Sequence, residues 1–133
     1  MTDSIYVDSS VLVAAVTSDD PRRAAASSWL YRHTDQLVAS AIAEVEVGRA
    51  LLRRGAPTSA KAAVERLLAT YVLVDLTPHI REWAATLRPT ALRTLDALHV
   101  ATALASAVGE FATLDARQRF AAEEASLKIA EIG

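Results

Sequence analysis

An α/β domain built on a mostly parallel central sheet is predicted by three observations. Short Val- and Ile-containing runs of strand length alternate with longer, alanine-rich segments. Cap-plus-proline signals recur where those longer segments open, as helix starts require. About half of the residues, 52%, are apolar while only 5% are aromatic, so alanine and aliphatic side chains fill the interior. Alanine favours helix, and strands that alternate with helices pair in parallel through crossovers. The 133 residues suffice for one compact domain spanning 1–133 and are too few for two.

Each element has its own signal. Ser4 to Val7 is a short buried strand, followed by Asp8-Ser9-Ser10 and the apolar stretch Val11 to Val16. Asp20-Pro21 is a cap followed by proline at the first helical position, opening a helix to about His33. Leu37 to Ala39 is the second strand. Ser40 caps a helix to about Arg54, which Gly55-Ala56-Pro57 stops. Thr58 opens the next helix, with Val64, Leu67 and Leu68 facing inward. Tyr71 to Val74 is strand-like, and Thr77-Pro78 repeats the cap-plus-proline signal for a helix to about Leu87. Thr94 caps a long helix that ends before Gly109. Glu110 to Leu114 is a strand, Ala116 to Ala125 a helix and Leu127 to Ile132 a last strand.

Several chemistries are excluded. Glycines at 48, 55, 109 and 133 write no phosphate loop, GxGxxG or GxSxG motif. Histidines 33, 79 and 99 lack zinc-ligand spacing, and there is no cysteine for thiolate sites or disulfides. A cysteine-free chain without a basic leader segment or a ~20-residue apolar run is expected in the cytoplasm, away from membranes. A net charge of −2 argues against non-specific nucleic-acid binding over the whole surface. The positive charge is nearly all arginine, clustered at Arg22-Arg23, at Arg49, Arg53 and Arg54, and at Arg117 and Arg119. Arginine grips phosphate bidentately, although a solvated helix face explains any one cluster equally well.

Four acids stand out in apolar settings. Asp8 and Asp115 each follow a strand, where ligands collect in open α/β sheets; each is equally suited to capping the helix behind it. Glu46 borders the apolar face of its helix, and an ion pair with Arg49 or Arg53 is its structural alternative. Glu44 lies about 160° away around the helix axis, so only one of the two can face a shared site. Asp96 lies in a helical first turn, which the helix dipole favours in any case. Four carboxylates in one pocket would repel one another unless a cation neutralises them. Hard oxygen ligands select Mg²⁺ or Mn²⁺.

The segments carrying these acids resemble the PIN-domain ribonucleases, particularly the VapC toxins of toxin–antitoxin pairs. Tyr6-Val7-Asp8-Ser9-Ser10-Val11-Leu12 is similar to the family's opening strand and first acid. Ser40 through Leu51 is similar to its second motif, in a register that selects Glu46 over Glu44. Leu92 through Leu104 closely resembles the third and gives Asp96, and Phe111 through Arg117 resembles the fourth and gives Asp115. Many relatives carry Thr where Ser9 stands and an aromatic where Leu114 stands.

The resemblance implies a three-layer α/β/α sandwich, paired as a homodimer. It also implies Mg²⁺- or Mn²⁺-dependent endonucleolytic cleavage of structured RNA such as tRNA or rRNA, and a small VapB-like antitoxin that blocks the site. Asp8 and Asp96 are then the first choices as metal ligands, with Glu46 and Asp115 binding metal directly or through water. Ser9 and the Thr113 hydroxyl support the site, His99 either supports it or packs beside it, and Arg117 is a candidate phosphate contact or an ordinary surface arginine. The antitoxin groove would use the helix faces near Val64, Leu67 and Leu68. Rival readings are an RNA-processing nuclease without an antitoxin and a catalytically silent scaffold. A haloacid-dehalogenase-like phosphatase is disfavoured, because Ser10 stands where it needs a second aspartate.

Overall fold

The computed structural model describes residues 3–133. Strands β1 (Ile5–Val7), β2 (Leu37–Ser40), β3 (Val72–Val74) and β4 (Glu110–Ala112) form a parallel sheet in the order β3-β2-β1-β4. The register pairs Ile5 with Leu37 and with Glu110, and Val38 with Val72. The helices are α1 (Ser9–Val16), α2 (Arg23–Arg32), α3 (Ile42–Arg53), α4 (Thr58–Leu68), α5 (Pro78–Thr86), α6 (Thr94–Ala105) and α7 (Ala116–Glu124).

Strand alternation makes the three layers. Ile5, Val7, Leu37, Ala39 and Ala112 face one core, which also holds Val11, Leu12, Trp29, Val47 and Val64 of α1 to α4. Tyr6, Val38 and Phe111 point the other way and pack with Ala103 of α6 and Ala122 of α7. A strand side chain points to opposite faces at successive residues, so burial on both faces requires helices on both. The architecture is the α/β/α sandwich that the sequence predicts.

Local signals set the joints. Thr77 accepts from the Ile80 amide at 3.3 Å, and Pro78 opens α5. Ser40 accepts from the Ile42 amide at 3.2 Å, but the cap of α3 is Ala41 rather than the expected Ser40. Gly55, at φ +62°, ends that helix in a conformation that costs glycine little.

Other predicted boundaries shift as well, and β4 ends at Ala112 rather than Leu114. Helix α2 starts at Arg23 rather than Pro21, because the Asp20 carboxylate accepts from the Arg22 amide at 2.8 Å and pairs with its guanidinium, making a turn first. Thr94 is the first helical residue of α6 rather than its cap, which is Arg93. The predicted last strand contracts to one bridge between Phe111 and Ile129, held by the Lys128 carbonyl and the Ala130 amide.

Candidate active site

From β1 the chain runs outward to β2 and β3, then returns to place β4 on the other side of β1. This reversal makes β1 and β4 the topological switch point, and the carboxyl ends of strands at such a point are the usual ligand address in open α/β sheets. Asp8 and Asp115 follow those two strands.

Asp8 is 4% exposed and caps α1. Its Oδ1 accepts from the Ser10 amide at 3.0 Å and the Ser10 hydroxyl at 2.5 Å, and its Oδ2 accepts from the Thr113 hydroxyl at 2.7 Å. Ser10 Oγ accepts in turn from the Leu114 amide at 2.9 Å, and Thr113 Oγ1 from the Asp115 amide at 3.0 Å. Two hydroxyls thus lace the loop after β1 to the loop after β4. Burial pushes the Asp8 carboxyl above the usual carboxylate range, while the His99 charge and these donors pull it back in part.

A second chain of bonds runs through Glu46 and His99. Glu46 Oε1 accepts from the Ser9 hydroxyl at 2.6 Å and lies 2.6 Å from His99 Nε2. His99 Nδ1 lies 2.5 Å from the Tyr6 hydroxyl, and the Tyr6 ring stacks on Phe111 at 5.0 Å. Burial alone would raise Glu46, but the His99 bond and charge and the Ser9 hydroxyl bring it below the usual range. Burial disfavours the imidazolium of His99; the Glu46 bond and charge, with Asp8 and Asp96 beyond, outweigh it and raise its pKa. Burial, then the charges of Asp8 and Glu46, hold the Tyr6 phenol far above its ordinary value, so it stays protonated.

Asp96, in the first turn of α6, is 9% exposed. Its carboxylate has no hydrogen-bond donor or ion-pair partner among the described residues. Burial raises its pKa, as does the charge of Asp115, while Arg117, His99 and Arg93 act against them. The buried Gln118 of α7 holds the backbone here, donating from Nε2 to the Asp96 carbonyl at 3.2 Å. Asp115 caps α7 by accepting from the Arg117 amide at 2.9 Å.

The sequence pattern of the PIN domain matches residues 5–124 of this chain. The chain belongs to the PIN-domain family. This PIN domain is 38% identical to ribonuclease VapC46 of Mycobacterium tuberculosis over 128 residues, 95% of each chain. Its fold matches the crystal structure of Mycobacterium tuberculosis VapC20, described as a sarcin–ricin loop cleaving toxin, with a TM-score of 0.75 at 22% identity, covering 89% of this chain and 95% of the other. A toxin–antitoxin complex from Klebsiella pneumoniae matches with a TM-score of 0.68 at 22% identity, covering 84% and 87%.

Within the PIN domain, the four sequence-selected acids gather at the carboxyl end of the sheet. The charge of His99 reaches Asp8, Glu46 and Asp96, and that of Asp115 reaches Asp96. Glu46 turns toward the site while Glu44 is exposed, and the partner of Glu46 is His99 rather than Arg49 or Arg53. The helix-capping alternatives for Asp8 and Asp115 also hold, since both residues cap. Capping uses only part of a carboxylate's four lone-pair positions.

The acids do not close on a common point. Among the described residues, no three acidic or histidine side chains lie close enough together to grip an ion. In ligand type and charge the set still suits a hard divalent cation: Asp8 and Asp96 are nearly buried carboxylates without a lysine or arginine in contact. Sequence reasoning missed Tyr6, Ser10 and Gln118. Ser10 was legible as a hydroxyl two residues past a capping acid. The other two act across elements and leave no local signal.

Proposed function

We propose that this chain is the toxin of a toxin–antitoxin pair, a Mg²⁺- or Mn²⁺-dependent endoribonuclease that cuts structured RNA such as tRNA or rRNA. One observation carries the reading: two nearly buried aspartates, Asp8 behind β1 and Asp96 in the first turn of α6, have no cationic side chain in contact. The ribonuclease name of the VapC46 relative supports it. Asp8 and Asp96 would hold the ion, with Glu46 and Asp115 joining directly or through water. A bound divalent ion supplies an activated water and offsets charge on the phosphate during in-line displacement.

The chain's own residues do the positioning. Ser10 and Thr113 fix both Asp8 oxygens, and Ser9 and His99 both bond to Glu46 Oε1. Arg117, beside Asp115, contacts substrate phosphate. The antitoxin seats on the apolar groove of about 500 Å³ between α3 and α4, lined by Val47, Leu51, Val64 and Leu68 with the exposed Val45 at its rim. The working form is a cytoplasmic homodimer; among the described residues no helix is long and apolar enough to cross a membrane.

Mapping new RNA ends after incubation with total RNA tests this. The wild type should cut discrete sites with Mg²⁺ and stop with chelator, and Asp8→Asn should cut nowhere. Cleavage that persists in chelator, or in Asp8→Asn, overturns the assignment.

A further inference from the structure

Next to the acids lies a pocket of which the chemistry above uses only Arg117. It has a volume of about 280 Å³ and is lined by Pro89, Leu92 and Phe120, together with Arg93 and Arg117. Phe120, on α7, is 52% exposed. A single exposed apolar side chain is ordinary, but this one shares its pocket with two guanidiniums, neither of which forms a salt bridge among the described residues. Their neighbour Arg119 is paired with Glu123 in the usual surface manner. Arg93 caps the helix that carries Asp96 in its first turn, and Ala116 and Arg117 directly follow Asp115, so the pocket lies beside both acids.

An aromatic face flanked by unpaired guanidiniums is chemically matched to one ligand class. A nucleobase offers a π-face to the phenyl ring, and the phosphates on either side of it answer the two positive charges. Bases within an RNA duplex keep their faces stacked inside, so the base must be unpaired. The pocket is smaller than the ~300–1,000 Å³ typical of sites for drug-sized molecules, which suits a single base.

We propose that this pocket binds an unpaired nucleobase adjoining the phosphate presented to the acids, with Phe120 as the stacking platform and Arg93 and Arg117 on the flanking phosphates. Its placement next to a scissile phosphate rests on the nuclease reading; its ligand class rests on the pocket's own residues. Stacking accepts any base, because every base has a π-face, so the pocket selects for an unpaired nucleotide and not for its identity.

The test uses the full chain carrying Asp8→Asn and a short single-stranded RNA containing 2-aminopurine, whose fluorescence falls when it stacks. Binding should quench the probe. Phe120→Leu should abolish the quenching and weaken binding about tenfold, the scale of one base stacked on an aromatic ring. Phe120→Tyr should retain both, and Arg93→Ala should weaken binding and flatten its salt dependence. Tyr31→Leu, at an 84% exposed aromatic on α2, should change nothing. Quenching and affinity unchanged in Phe120→Leu overturn the proposal, as does a fall from dimer to monomer in that variant by light scattering, which would make the face a self-association surface. The chain with Asp8 intact separates the two readings. Chelator-sensitive cleavage with Phe120-independent quenching sinks the pocket alone, whereas Phe120-dependent quenching without any cleavage sustains base binding and sinks the nuclease.

Discussion

Asp8 and Asp96 sit at the same end of the sheet and are buried to similar degrees, 4% and 9% exposed, yet their surroundings differ sharply. Asp8 is held by three donors from Ser10 and Thr113, and those hydroxyls are themselves fixed by the Leu114 and Asp115 amides. Asp96 receives none; only its backbone is held, by Gln118. One arm of the site is oriented by the protein before anything binds. The other is placed by its helix and left with its acceptor capacity unspent. A carboxylate that keeps little water and gains no donor is costly, and under the proposed function a bound cation would offset that cost.

The sharpest test is whether both arms matter equally to cleavage. Asp8→Asn and Asp96→Asn should each lower kcat/KM on the order of 10³-fold, equivalent to the several kcal/mol a metal supplies to transition-state charge. Circular dichroism should be unchanged. A large loss in one variant and full activity in the other would break the two-arm description. Next in size is the bonded arm's support. His99→Leu leaves Glu46 with the Ser9 hydroxyl alone and should cost roughly 10–100-fold in activity or in metal affinity, the range for groups that orient ligands.

Stability should separate the arms by sign. Asp8→Ala removes a helix cap and leaves the Ser10 and Thr113 donors without their acceptor, a loss of about 1–3 kcal/mol. Asp96→Asn removes a charge raised in energy by burial and by Asp115 and breaks no side-chain bond, so its metal-free melting temperature should rise by a few degrees. Added Mg²⁺ should then raise the melting temperature of the wild type and leave Asp96→Asn unmoved. Melting curves with and without Mg²⁺ check both, and a destabilised Asp96→Asn would show that Asp96 has a structural role.

The bare arm was the more legible one in the sequence. Asp96 stands in a motif that names it, within a helix whose first turn and apolar neighbours are local properties. The layers of the fold were legible for the same reason, since alternation along β1 and helical periodicity are written into adjacent residues. The bonded arm joins residues far apart: Tyr6 to His99, Ser9 to Glu46, Thr113 to Asp8. Those pairings follow from the strand order β3-β2-β1-β4, which no single segment encodes. The failed expectations were likewise decided beyond one element's own pattern. Asp20-Pro21 reads as a cap until the Arg22 guanidinium turns back onto Asp20. The segment after α7 has strand composition, but its pairing with β4 stops at one bridge, Phe111 with Ile129.

An unpartnered polar group is not functional simply because it is unpartnered, and Tyr71 provides the contrast. It is 8% exposed in the core on the α1–α4 side, and its hydroxyl has no hydrogen-bond partner among the described residues. Burial alone pushes its pKa up; no charged group contributes. Asp96, by comparison, feels Asp115, Arg117, His99 and Arg93. Replacing the Tyr71 hydroxyl by hydrogen removes an unsatisfied donor while keeping the ring, so Tyr71→Phe should stabilise the fold by up to about 1 kcal/mol. Cleavage should be unaltered, because the residue lies in the joint between α4 and β3, away from the carboxyl ends of β1 and β4. Chemical denaturation and a cleavage assay on the same preparation decide it. A Tyr71→Phe chain that melts later and cuts at the wild-type rate separates an incidental packing cost from the deliberate vacancy of donors around Asp96, whereas lost activity would extend the functional network through the sheet.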